Sequence, residues 1–221
     1  YLTPEELAGR RRELEAHGLR VHPINVPLGH PGNALGVTGE EGVAATPPAH
    51  WRMARTAEGR AFSGTSIHPP APAENAEAVR RLAAQGFDRI FLDDDFRIAQ
   101  SPGVIGGCFC DECREAFLNA GGYQPSAWQE LLDCVVGRNP GAVLLAWQDF
   151  WCDRLEGMFR QMQSAGPDVE LGIMVMYLGA EKAGVRLDRF GDVPFRVGEL
   201  MFSDAEFSPI KGKTDELFSA L

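Results

Sequence analysis

GFDRIFLDDDFRIAQSPGVIGGCFCDEC, residues 86–113, decides how the chain is read. Its apolar residues Phe87, Ile90, Phe91 and Leu92 run straight into Asp93, Asp94 and Asp95, and a glycine-rich loop then delivers Cys108, Cys110 and Cys113. An apolar run of this kind predicts a strand buried on both faces of a parallel sheet. This strand ends in carboxylates. Ligands of α/β folds bind beyond the carboxyl ends of parallel strands, because loops converge there while helices cover the sheet faces. Three adjacent anions are too costly to bury together, so at least one of them must meet water, a cation or a substrate. The stretch reads as the active-site edge of a barrel.

Upstream, Thr3-Pro4-Glu5-Glu6 combines an N-cap hydroxyl, a proline at the first helical position and a glutamate three residues after the cap, so a helix starts here. Leu7 and Leu14 line one face of it, and residues 19–26 read as a strand that Pro23 blemishes. From Pro27 to Pro72 runs a long connection, a length that usually serves a function. Within it, 51–55 and 60–67 flank Ala57-Glu58-Gly59 as a short hairpin. A helix over 74–85 then leads into the central strand.

Downstream, helices are predicted over 111–120, from a capping box at Ser126 to about 136, and from Asn139-Pro140 to Gly166. The Trp and Met stripe of the last, with Trp147, Trp151, Leu155, Met158, Phe159 and Met162 at helical spacing, reads as core. Strands follow at 169–177 and 195–202. This βα alternation predicts a parallel sheet. Four strands are half of a (β/α)8 TIM barrel, so the class is α/β and the chain, 1–221, is a single domain reading as a fragment of a larger barrel. The missing half, or a second copy in a homo-oligomer, would cover the open edges.

Composition narrows the partners. The 221 residues are 44% hydrophobic and carry a net charge of −10, which disfavours nucleic acid. No apolar run reaches the roughly 18 residues of a membrane span, and nothing at the start resembles a signal peptide. Tyr1 at the start and a helix-like run, Thr214 to Leu221, at the end suggest that both ends are cut. Five cysteines, three of them crowded together, suit a metal cluster or reduced thiols better than a disulfide framework and point to the cytoplasm.

Glycoside hydrolysis needs two carboxylates, one to protonate the leaving oxygen and one to act as nucleophile or to activate water. Side chains alternate along a strand, so Asp93 and Asp95 share a face and Asp94 points away. Repulsion between the like-charged pair keeps one protonated near neutrality. Asp95, at the strand tip, is the candidate general acid/base and Asp93 its partner. Acid runs are often merely solvated, but this one ends a buried strand. Trp51 and Phe96 can stack on a sugar ring, Asp94 lies beside them, and Glu199 can project inward as a further carboxylate; Asp204 and Glu206 are weaker candidates. His22 reads as core, whereas His30 and His50 lie in the long loop. Aspartates holding a divalent ion are a third option, though such sites usually add histidines.

Cys108-x-Cys110-x-x-Cys113 has the close spacing of a tetrahedral zinc site that needs one more ligand: His68, another residue of the long loop, or water. Such a zinc would be structural, stapling two loops. The competing view is three reduced thiols packing as small hydrophobes. An iron–sulfur cluster lacks its fourth cysteine nearby, and nothing calls for an organic cofactor.

A strand with an acidic tip followed by Cys-x-Cys-x-x-Cys resembles the catalytic barrel of glycoside hydrolase family 42 β-galactosidases and related β-galactosidase-like proteins. In that family the fourth strand ends Asp-Asn-Glu and a zinc cluster follows it, with a further cysteine from the loop after the third strand. The resemblance implies that the four strands are strands 3 to 6 of the barrel, with the Cys-rich loop after the fourth. It aligns Asp95 with the acid/base glutamate, Asp94 with the asparagine, and Cys108, Cys110 and Cys113 with the cluster. Two departures stand out. Asp95 is a methylene shorter than glutamate, and the upstream loop offers Ser66 and His68 but no cysteine. The family's nucleophile would fall beyond Leu221. The implied activity is hydrolysis of β-galactoside-like or plant oligosaccharides, the alternative a catalytically silent carbohydrate-binding or structural barrel.

Overall fold

The computed structural model describes residues 3–28, 48–61, 66–93, 96–98, 105–175 and 184–197. Four parallel strands, β1 (Ile24–Asn25), β2 (Arg89–Leu92), β3 (Glu170–Val175) and β4 (Phe195–Val197), pair in the order β1-β2-β3-β4. Five helices accompany them: α1 (Pro4–Glu15), α2 (Ala71–Ala84), α3 (Asp111–Gly121), α4 (Ser126–Gly137) and α5 (Ala142–Ala165).

The expected (β/α)8 barrel, with these as its strands 3 to 6, is overturned. Closure into a barrel requires the outermost strands to hydrogen-bond around a ring. Among the described residues β1 pairs only with β2 and β4 only with β3, which makes an open sheet of strands two to six residues long, outweighed by helix. Alternating strand and helix is common to open and closed sheets, so the pattern alone could not separate them.

Local chemistry explains most of the elements. Thr3 caps α1 as its sequence demands: Thr3 Oγ1 accepts from Glu6 N at 3.2 Å and Glu6 Oε2 accepts from Thr3 N at 2.7 Å. Leu14, however, is exposed, and Ala8 is the residue α1 buries. β1 is far shorter than the eight residues expected, because Pro23 has no N–H for the ladder; its carbonyl still accepts from Phe91 N at 3.0 Å. Ser126 lies inside α4 and makes no cap, so that expected capping box is absent. The predicted hairpin is a single antiparallel bridge, Arg55 to Ala61, with Thr56 N donating to Arg60 O at 2.8 Å.

The core lies where α2 and α5 pack together against the sheet. Val79 and Leu82 from α2 meet Trp147, Trp151, Leu155, Met158, Phe159 and Met162 from α5, all buried, and Ile90, Leu92, Leu171 and Ile173 face them from the strands. The Trp and Met stripe is therefore core, as its spacing indicates. Gly172 on β3 admits the Phe91 ring of β2, since a Cβ there would sit 2.7 Å from that ring and from Pro194 O. Arg160 of α5 fastens the connection into β4, donating to both carboxylate oxygens of Asp192 at 2.8 and 3.0 Å. Among the described residues no helix is long and apolar enough to cross a membrane.

Candidate metal centre

β2 ends at Leu92, and Asp93 stands at the sheet's carboxyl edge, its N–H donating to Asn25 O at 2.8 Å. Beside it, Asn75 of α2 is buried and donates to Pro27 O at 2.6 Å, while its Oδ1 accepts from Asn25 Nδ2 at 3.3 Å. Asp94, Asp95, Glu199, Asp204, Glu206 and His30 lie outside the described residues. Phe96 does not offer the stacking surface expected of it: it is 1% exposed and packs on Phe159 with ring centroids 6.4 Å apart. The polar run at 93–95 masked from sequence that the next residue returns to the core. Trp51 is half-buried, with its indole N–H donating to Glu74 at 2.7 Å, and His50 contacts the same carboxylate at 2.8 Å. Those two donors draw Glu74 below the usual carboxylate range, the indole N–H being the larger influence. His22, read as core, is half-buried, with its ring edge-on to Phe91.

The cysteines converge with His68. The ligand atoms of His68, Cys108, Cys110 and Cys113 all lie within 4.8 Å of one another. His68 Nε2 is 3.2 Å from Cys108 Sγ and 3.8 Å from Cys110 Sγ. Zinc bound tetrahedrally at the usual Zn–S and Zn–N lengths would set its ligand atoms roughly 3.6 to 3.8 Å apart, so the cluster needs only small adjustments to close on an ion. Cys108, Cys113 and His68 are buried and Cys110 is half-buried. Of the fourth-ligand options open at the sequence level, the fold brings in His68.

Two segments of chain build this arrangement. One carries His68, with Ser66 N donating to Leu28 O at 2.8 Å and Ser66 Oγ to Arg52 O at 2.7 Å. The Gly106-Gly107 turn carries Cys108: Trp147 Nε1 donates to Gly106 O at 2.9 Å, and Gly107 N donates to Ile98 O at 2.7 Å. The two loops are joined by Phe109 N to Arg55 O at 2.8 Å and Arg55 N to Cys108 Sγ at 3.3 Å. Cys110 is the N-cap of α3 and Cys113 sits in its first turn, where the helix favours negative charge.

The thiols are unequal. A hydrogen bond from Cys113 holds Cys108 down to about 4 against the opposing effect of burial, with His68 adding to the depression. Cys113, the donor of that bond and buried as well, is pushed up. Cys110 is raised first by burial. One thiolate flanked by two thiols is a nucleus for a metal, since only the thiolate is a ligand. Three sulfurs and one imidazole make the borderline-soft, four-coordinate donor set that suits zinc in closed structural sites.

Two residues around the centre had escaped the sequence reading. Arg52 Nη2 lies 2.6 Å from His68 Nδ1 and also bonds the Glu112 carboxylate. That ion pair raises Arg52 and lowers Glu112. Glu112 sits inside the cysteine motif and was visible as such, but Arg52 carries no signal, because its distance along the chain from His68 and Glu112 conceals their contact. Comparison of the chain with family models, with curated proteins and with solved structures finds no match.

Proposed function

We propose that this chain is a glycoside-hydrolase-like protein that cleaves O-glycosidic bonds of β-galactoside-like or plant oligosaccharides, braced by a structural zinc held by His68, Cys108, Cys110 and Cys113. The observation that carries the reading is the succession along the chain: a parallel strand, β2, ends in an acidic run at the sheet's carboxyl edge, and the loop that follows delivers the cysteine ligands. Asp95 is assigned to protonate the leaving oxygen, and Asp93, two residues before it in the acidic run, to favour retention of that proton by like-charge repulsion. Trp51, oriented through its N–H by Glu74, offers a face to the sugar. When bound, zinc would supply no chemistry to the sugar and would tie His68 to the start of α3.

The activity is tested by incubating the chain with a panel of aryl glycosides. Hydrolysis of one of them, lowered about 100-fold or more in kcat by Asp95→Asn, is the expected result. Binding of a sugar without turnover would convert the assignment to a silent carbohydrate-binding protein, and neither binding nor turnover would remove carbohydrate altogether. The metal is tested separately. Elemental analysis is expected to give close to one zinc per chain, and Cys110→Ser to lose it; zinc-free wild-type protein of full stability would end the zinc assignment.

A further inference from the structure

His68 presents Nε2 to the sulfurs, 3.2 Å from Cys108 and 3.8 Å from Cys110, so Nε2 is the nitrogen that can face a metal. A neutral imidazole that gives the Nε2 lone pair to a metal carries its remaining proton on Nδ1. That N–H is buried with the rest of the ring, which is 1% exposed, and needs an acceptor. Its nearest polar neighbour is Arg52 Nη2 at 2.6 Å, and a guanidinium has five donors and no acceptor. Two donors cannot share one hydrogen bond. The next group is the Glu112 carboxylate, bonded to the same Nη2 and therefore within two hydrogen-bond lengths of Nδ1.

We propose that Glu112 is a positioning residue of the metal centre: its carboxylate accepts the Nδ1–H of metal-bound His68, and Arg52 holds that carboxylate against the ring. Three features make the exchange accessible. Glu112 sits in the first turn of α3, one residue before Cys113, so its backbone is fixed by the same helix start that places the thiols. The Glu112 side chain is 58% exposed and free to turn by the short distance required. Arg52 is fixed at its backbone, its carbonyl accepting from the buried Ser66 hydroxyl at 2.7 Å, while its side chain is 52% exposed, so the guanidinium can move off Nδ1 and keep its bond to the Glu112 carboxylate. The resulting arrangement is a carboxylate–histidine–metal triad. The carboxylate raises the basicity of the imidazole and fixes the ring tautomer. Arg52 offsets charge, because three thiolates, one neutral imidazole and a divalent ion sum to one negative charge, to which Glu112 adds another.

This inference rests on metal binding at the cluster. Its test is competition titration of zinc against a chromophoric chelator for wild type, Glu112→Ala and Glu112→Gln, with ring 15N NMR of His68 in the zinc-loaded proteins. Glu112→Ala is expected to weaken zinc binding 10- to 100-fold, and Glu112→Gln, which keeps an acceptor oxygen, to recover much of the loss. In loaded wild type the NMR signal should place the proton on Nδ1 and show it hydrogen-bonded, with that bond weakened in Glu112→Ala. Equal zinc affinity for wild type and Glu112→Ala, or an unchanged Nδ1–H signal between them, would overturn the role of Glu112 and leave the metal site standing. Failure of wild type to take up zinc at all would instead overturn the site itself.

Discussion

Stripping zinc from the chain with a strong chelator is expected to lower its melting temperature by about 10 °C. Zinc present at a thousandfold excess over its dissociation constant stabilises the folded form by about 4 kcal/mol, and for a domain of this size each kcal/mol moves the midpoint by about 2 to 4 °C. The size of the effect follows from what the four ligands join. His68 lies on one segment, and Cys108, Cys110 and Cys113 follow one another from the Gly106-Gly107 turn into α3, so a bound ion would fasten two segments that are otherwise linked by Phe109 N to Arg55 O, Arg55 N to Cys108 Sγ and the Arg52–Glu112 ion pair. Thermal melts of zinc-loaded and chelated protein, with zinc restored to the second sample, measure it. An unchanged midpoint in protein shown to carry zinc would mean that the ion braces nothing.

The same centre fixes a dependence on pH. In protein stripped of metal, Cys108 is already a thiolate above about pH 4, whereas Cys110 and Cys113 are held protonated by burial and by the bond Cys113 gives Cys108. Loading zinc near neutrality therefore releases about two protons, not three, and affinity rises roughly 100-fold per pH unit until the raised thiols themselves ionise. The linkage signs for the metal-free fold differ among the thiols. Cys108, depressed, contributes stability that is present above the ordinary thiol pKa and is lost as pH falls toward 4. Cys110 and Cys113, raised, contribute stability present below the ordinary value and lost as pH climbs through their folded values. Zinc titrations in buffers of different ionisation enthalpy count the protons; a release of three at pH 7.5 would contradict the assignment of Cys108 as thiolate.

The features most legible in the sequence were those set by neighbours along the chain. The Thr3 capping box, the core stripe of α5 and the helical start at Asp111 each follow from residues within a turn of one another, and each stands in the fold. The cysteine spacing was legible for the same reason. What failed were properties fixed at long range. Whether parallel strands stay open or close depends on partners for β1 and β4, which no local pattern specifies. Phe96 was misread because its three acidic predecessors suggested an exposed tip, whereas its ring turns into the core against Phe159. Arg52 was invisible because its partners, His68 and Glu112, lie 16 and 60 residues away.

Gly107→Ala is expected to be among the most damaging single substitutions in the chain, costing about 3 kcal/mol or more. Gly107 has φ +119°, a backbone conformation that L side chains rarely adopt, and strain of that kind costs about 1 to 3 kcal/mol. The space is closed as well: a Cβ would lie 2.5 Å from Trp151 Nε1 and 2.6 Å from Trp147 Cζ2, inside a packed pair of indoles whose centroids are 5.5 Å apart. Forcing a methyl into such packing adds typically 1 to 3 kcal/mol. Neither indole can retreat cheaply, since Trp147 and Trp151 are buried in the core of α5 and Trp147 is tied to Gly106 O. Relief must therefore come from the turn itself, which moves Cys108, the next residue, away from His68 and the other thiols. Gly107→Ala should thus lower zinc affinity along with stability, and the loss of stability should persist in chelated protein. Gly157→Ala supplies the contrast. Gly157 is inside α5 with nothing within 4 Å of its added methyl, so the same substitution there should stabilise the helix by roughly 0.5 to 1 kcal/mol. Denaturant midpoints of the two variants, each with and without zinc, separate the cases. If Gly107→Ala tracked Gly157→Ala, the tryptophans of α5 would not be what sets the position of the cysteine loop.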